Sequence, residues 1–137
     1  MPTNSLSSRH PHEVVLLGAC LLTASPILAG VTPAPGSVTA AMTPASTLAW
    51  AGGITIGALI AFAGILWPRP KCPTKLTVTG LLLEQVGLVI SGMACLFYVA
   101  AVLWVIGWAG LFPCALPAGF AVANMILARR IQRLLRP

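Results

Sequence analysis

The chain has 137 residues, of which 58% are hydrophobic and 7% charged, against about 25% charged for an average soluble domain. Eight basic and two acidic side chains cannot cover the surface of a soluble fold of this size, which leaves a membrane protein. The net charge of +6 does not indicate nucleic acid, because the cations gather at the ends of apolar runs and form no basic stripe.

Residues 1–13 read as a polar tail. His10, His12 and Glu13 surround Pro11 with no further ligand in reach, so no metal site is expected there, and Glu13 complements the dipole of a helix starting behind it. The first apolar run, 14–31, is interrupted by Pro26 and lies near the lower limit of about 17 residues for a membrane helix. Its rival reading is a signal peptide cut after "ILA", ahead of Gly30. "LGAC", residues 17–20, has the look of a lipobox, but the apolar region ahead of it falls short of the roughly 7 residues such signals need. Residues 32–47 are rich in Pro, Ala, Ser and Thr and predict an extended, flexible outer loop.

A second span covers 48–67 and is stopped by Pro68, Pro70 and Pro73. From 86 to 128 no charged residue appears, too long for one span of about 20 residues and right for two. The break is placed in "WVIGWAG", residues 104–110, giving spans 78–103 and 109–128. Tryptophan, which prefers the headgroup level, agrees: Trp50 and Trp67 bracket the second span, and Trp104 and Trp108 flank the outer turn. Pro113 and Pro117 read as the start or a kink of the fourth span.

Basic residues alternate onto one side: Arg9, then Arg69, Lys71 and Lys75, then Arg129, Arg130, Arg133 and Arg136. Short cytoplasmic loops concentrate Lys and Arg, so the expectation is an all-α membrane protein of four transmembrane helices with both termini cytoplasmic. The tail 129–137, "RRIQRLLR" and a final proline, prolongs the last helix along the inner headgroups as an orienting anchor. Its alternative is a dedicated site for an anionic lipid or a partner.

Inside the spans, "GLLLEQVGLVISG" places Glu84 and Gln85 in an oily run, with Asn124 in the inner half of span four. Gly80, Glu84, Gly87, Ser91 and Cys95 recur at spacings of three and four, so a small-residue stripe runs through the glutamate. Gly53, Gly57 and Ala61 form a matching stripe on span two, a GxxxG pattern extended by one turn. Spans two and three should pack through these stripes, within one chain or between copies, with oligomerisation through Gly53, Gly57 and Gly87 as the stronger form of the hypothesis. Glu84 reads first as a register-fixing hydrogen-bonding residue, with proton coupling or a pore lining as the functional alternative. Gln85 points about 100° away, and Asn124 suits interhelical bonding.

The four cysteines show no CxxC pair and no histidine at ligand spacing. No Ser-His-Asp set, phosphate-cradling loop or carboxylate pair can be assembled, and aspartate is absent, so neither an enzyme nor a cofactor is expected. In size, in its basic tail and in "TGLLLEQVGL", residues 79–88, the chain resembles the small four-span, holin-like membrane proteins of actinobacterial phages. That resemblance implies a protein that oligomerises in the bacterial inner membrane and permeabilises it or assists a lytic partner, with Glu84 the one matching residue. The expected partners are then the lipid bilayer and further copies or another membrane protein, and no nucleic acid. Two alternatives remain: a non-catalytic subunit of a larger membrane complex, and a small proton-coupled transporter using Glu84.

Overall fold

A computed structural model of the chain describes residues 11–67 and 75–135, and every regular element in them is helical. In chain order these are α1 (Pro11–Leu28), α2 (Gly36–Ala41), α3 (Pro44–Leu66), α4 (Lys75–Ile106) and α5 (Leu111–Leu135), with a 3-10 turn, Gly107–Gly110, between the last two. Two stretches, Pro44–Leu66 and Val78–Arg133, are long and apolar enough to cross a membrane, and the second is broken at that turn. The apolar part of α1, Val14–Leu28, is shorter.

Neighbouring long helices run antiparallel. Leu28 at the end of α1 lies beside Gly52 near the start of α3, and Gly53 meets Ala94 of α4 while Gly64 meets Gly80 and Glu84. On the other side, Cys114 approaches the Val99 carbonyl and Asn124 reaches Ser91, which turns α4 and α5 into a hairpin. α3 and α4 form the centre of the bundle, with α1 against α3 and α5 against α4. The start of α1, the end of α3, the start of α4 and the end of α5 therefore share one end.

Helix ends follow local chemistry and fall within a turn or so of the expected span limits. α1 stops at Leu28, short of 31, because Gly30 adopts φ +71° and closes a Schellman cap, with its own N–H on the Ile27 carbonyl and the Val31 N–H on the Pro26 carbonyl. α3 begins at Pro44, ahead of the expected 48, because Thr43 caps it by accepting from the Ser46 N–H at 3.3 Å and Pro44 suits the first helical position. α4 extends to Ile106, where Gly107 at φ +65° ends it, and α5 runs from Leu111 through the arginines to Leu135. At about 1.5 Å per residue the 32 residues of α4 reach about 48 Å, beyond a hydrocarbon core of about 30 Å.

Residues 32–47 do not form the extended loop expected there, since they hold α2 and the first turn of α3. Val38 and Met42, spaced four apart, face the bundle from α2 and its cap and are buried against Tyr98, Val102 and Cys114. Burying two apolar side chains offsets part of the entropy of ordering the segment, and the Ser37 and Tyr98 hydroxyls bond at 2.9 Å. Trp50 lies two turns inside α3, tilted on Tyr98 with ring centroids 5.6 Å apart. The larger core cluster joins all four long helices through Leu17, Ala58, Ala61, Leu88 and Ala121. Outward, by contrast, α1, α3 and α5 present large apolar side chains such as Leu22, Leu66, Phe112 and Leu116.

Candidate functional site

The small-residue stripes of α3 and α4 meet within one chain and bring the two backbones into contact. A Cβ on Gly57 would stand 2.6 Å from the Ser91 nitrogen and 2.9 Å from the Gly87 carbonyl oxygen. One on Gly87 would stand 2.5 Å from the Gly57 carbonyl oxygen and 2.7 Å from the Ala61 Cα, so neither position has room for a side chain. Gly53 faces the Ala94 methyl, and Gly80 faces the Trp67 ring. Gly64, not singled out in the sequence, extends the seam by a turn: a Cβ there would run into the Glu84 nitrogen and the Gly80 carbonyl. Its signal was the small residue three positions after Ala61. Within this chain the seam is filled by α3 and α4 themselves, so Gly53, Gly57 and Gly87 pack the two helices of one copy together.

Glu84 sits in this seam, only 3% exposed, with its backbone against Gly64. Two turns further along α4, Ser91 is fully buried and donates to the Gly87 carbonyl at 3.0 Å while accepting from the Asn124 amide at 2.9 Å. Asn124, Ser91 and Gly87 thus form a polar chain from α5 through α4 to the point where Gly87 abuts α3. Of the three intramembrane polar residues expected from sequence, Asn124 is tied to Ser91, Glu84 faces α3 about 10 Å away along the helix, and Gln85 is half-buried outside both contacts. The structure gathers no single polar centre from them.

Two recesses were not foreseen. Between α1 and α5 the bundle does not close, leaving a groove of about 490 Å³ lined by residues such as Leu16, Cys20, Ile54, Cys95, Leu116 and Phe120. Its Thr23 hydroxyl is folded back on the Ala19 and Cys20 carbonyls, so the wall offers almost no polar group. A smaller cavity of about 50 Å³ shares Leu16, Phe120 and Ala123 with the groove and reaches Asn124. Among the described residues, Thr55 keeps a buried hydroxyl, and Trp50 and Trp67 buried indole N–H groups, without a hydrogen-bond partner.

At the opposite end of α5 from the turn, Arg129, Arg130 and Arg133 are exposed. Arg9, His10, Arg69, Lys71, Cys72 and Arg136 lie outside the described residues, as do the three prolines expected to stop α3 and the side chains of His12, Glu13 and Lys75. The described residues hold no group of three metal-ligating side chains.

Fold and site together define an all-helical bundle with apolar flanks, a backbone-tight central hairpin and an unclosed seam between its first and last helices. No protein-family model matches the chain, and no curated protein or solved structure matches it at a significant level.

Proposed function

We propose that the chain is a four-span protein of the bacterial inner membrane, with both termini in the cytoplasm, that acts in a holin-like manner. Copies gather in the membrane and permeabilise it, or assist a lytic partner. The two stretches long enough to span, the exposed apolar side chains on the flanks and the alternation in the sequence of basic segments with uncharged ones between the apolar runs support the location and orientation. Val14–Leu28 completes the four spans, short for the hydrocarbon core and accommodated by local thinning of the bilayer.

One observation carries the mode of action. The polar side chains Glu84, Ser91 and Asn124 are buried in interhelical contacts, the groove between α1 and α5 is apolar, and a further recess of about 400 Å³, with Thr32, Thr39 and Thr47 in its wall, lies among the residues around α2 and touches none of the three. A single copy therefore has no polar route through its interior among the described residues, and permeabilisation requires several copies together. The same burial weakens the transporter reading, since Glu84 lines neither the groove nor the cavity beside Asn124. A non-catalytic subunit of a larger complex is the second reading, favoured by the tightly filled α3–α4 seam.

Induced expression in a bacterium, following membrane potential and culture density in parallel, tests the proposal. The expected result is abrupt depolarisation above a threshold level of protein, with timing altered in Glu84→Gln. Steady potential and growth in both strains would replace it with the subunit reading. A reporter fused after Pro137 should be active only in the cytoplasm, and periplasmic activity would overturn the orientation.

A further inference from the structure

The last described turns of α5 pack into the bundle. Ala128 and Ile131 are buried, each 4% exposed, and hold the helix against its neighbours, while Arg129, Arg130 and Arg133 project outward. Arg129 and Arg133 are four positions apart and Arg130 and Arg133 three, which places like charges about 5–6 Å from each other at their Cβ atoms and weakens the helix. The chain holds two acidic residues against eight basic ones, and one of the two, Glu84, is buried. Most of the charge that neutralises this end must come from another molecule.

The surface above the arginines says what kind of molecule. At 3.6 residues per turn, Val122, Ile126, Arg129, Arg130 and Arg133 fall within a sector of about 100° on one side of α5. Val122 and Ile126 are 56% and 50% exposed. One continuous stripe therefore passes from apolar to cationic along the helix axis, which is the pattern of an amphiphile with an anionic head. A free anion would use only the basic half, and a nucleic acid would meet the apolar half with no matching surface.

We propose that this stripe binds an anionic phospholipid, with the phosphate held by Arg129, Arg130 and Arg133 and an acyl chain lying along Ile126 and Val122. Guanidinium groups suit the task because their planar donor forks bind phosphate oxygens in pairs. The site rests on the membrane location proposed above and is independent of any role in lysis. Occupying it relieves the repulsion among the arginines and fixes the depth of α5 in the bilayer.

The test uses the full chain purified in neutral detergent and titrated with phosphatidylglycerol or phosphatidylcholine, with bound lipid counted by native mass spectrometry. Phosphatidylglycerol should be retained in preference. The R129Q/R130Q/R133Q variant should lose that preference, by about fivefold per arginine and on the order of a hundredfold for all three. Its unfolding midpoint without lipid should not fall, because the substituted side chains are exposed and their mutual repulsion is removed. A separate Ile126→Ser variant should weaken retention while keeping the preference for the anionic head. Inorganic phosphate should fail to displace the lipid; full displacement would make the site an anion site and overturn the lipid assignment. Equal retention of the two lipids, an undiminished preference in the triple variant, or tighter binding of a single-stranded oligonucleotide would each overturn it too. Recovery of the chain in the aqueous fraction without detergent would remove the membrane location as well, separating that failure from a failure of the site alone.

Discussion

Replacing Gly87 by alanine should destabilise the bundle by about 2 kcal/mol, although alanine is the better helix former. The added Cβ would stand 2.5 Å from the Gly57 carbonyl oxygen and 2.7 Å from the Ala61 Cα, where ordinary contacts begin near 3.4 Å. The atoms met are backbone, so no side-chain rotation relieves the clash and α3 must move away from α4 by about 1 Å. A gap of that size forfeits a quarter to a half of the dispersion energy of each contact along the seam. Overpacking a tight interior costs about 1–3 kcal/mol, and a backbone clash belongs at the upper end. Helix propensity returns about 1 kcal/mol. Gly119→Ala and Gly18→Ala supply the reference, since a Cβ at either position meets nothing within 4 Å and only the propensity gain applies. Equilibrium unfolding in mixed micelles, followed by circular dichroism, should place Gly87→Ala about 3 kcal/mol below these two variants. Equal stability of Gly87→Ala and Gly119→Ala would refute the backbone-contact seam.

In a double-mutant cycle, Asn124→Ala and Ser91→Ala should show a coupling of about 0.6 kcal/mol, and no more than about 1.7, the range measured for hydrogen bonds between membrane helices. Strict additivity of the two variants would mean that the 2.9 Å bond between them contributes nothing. Tyr98→Phe removes the hydroxyl that meets Ser37 and should cost about 1 kcal/mol locally. Hydrogen exchange over residues 36–42 should then quicken while the amides of the α3–α4 seam stay protected; unchanged exchange in α2 would show that Val38 and Met42 alone hold it.

The α3–α4 pairing was legible because glycine, alanine and serine at spacings of three and four mark one helix face whatever lies opposite. Gly64 escaped because Ala61 closed the obvious GxxxG frame. α2 escaped for a different reason: the composition of 32–47 speaks for a loop, and the four-residue spacing of Val38 and Met42 acquires meaning only once Tyr98 and Val102 stand opposite it. That Asn124 bonds an interhelical partner could be expected of an amide in a span, but its choice of Ser91, 33 positions away, depends on the register of the last hairpin. The groove between α1 and α5 is a failure of two non-adjacent helices to meet, and no local pattern encodes it. The contact of Trp50 with Tyr98, 48 positions away, likewise depends on how α3 and α4 pair and has no local signal.

The two turns opposite the basic end, residues 29–43 and 107–110, contain no charged side chain. In the proposed orientation these are the only parts of the chain that must be translocated, and the arginines and lysines remain on the side where the ribosome delivers them. Moving one elementary charge through the membrane potential involves about 2.3 kcal/mol per 100 mV. Here no charge moves, so insertion neither draws on the proton-motive force nor works against it. Chains synthesised after the membrane has depolarised should therefore insert as readily as those made before, and the collapse a holin-like protein causes would not halt its own accumulation.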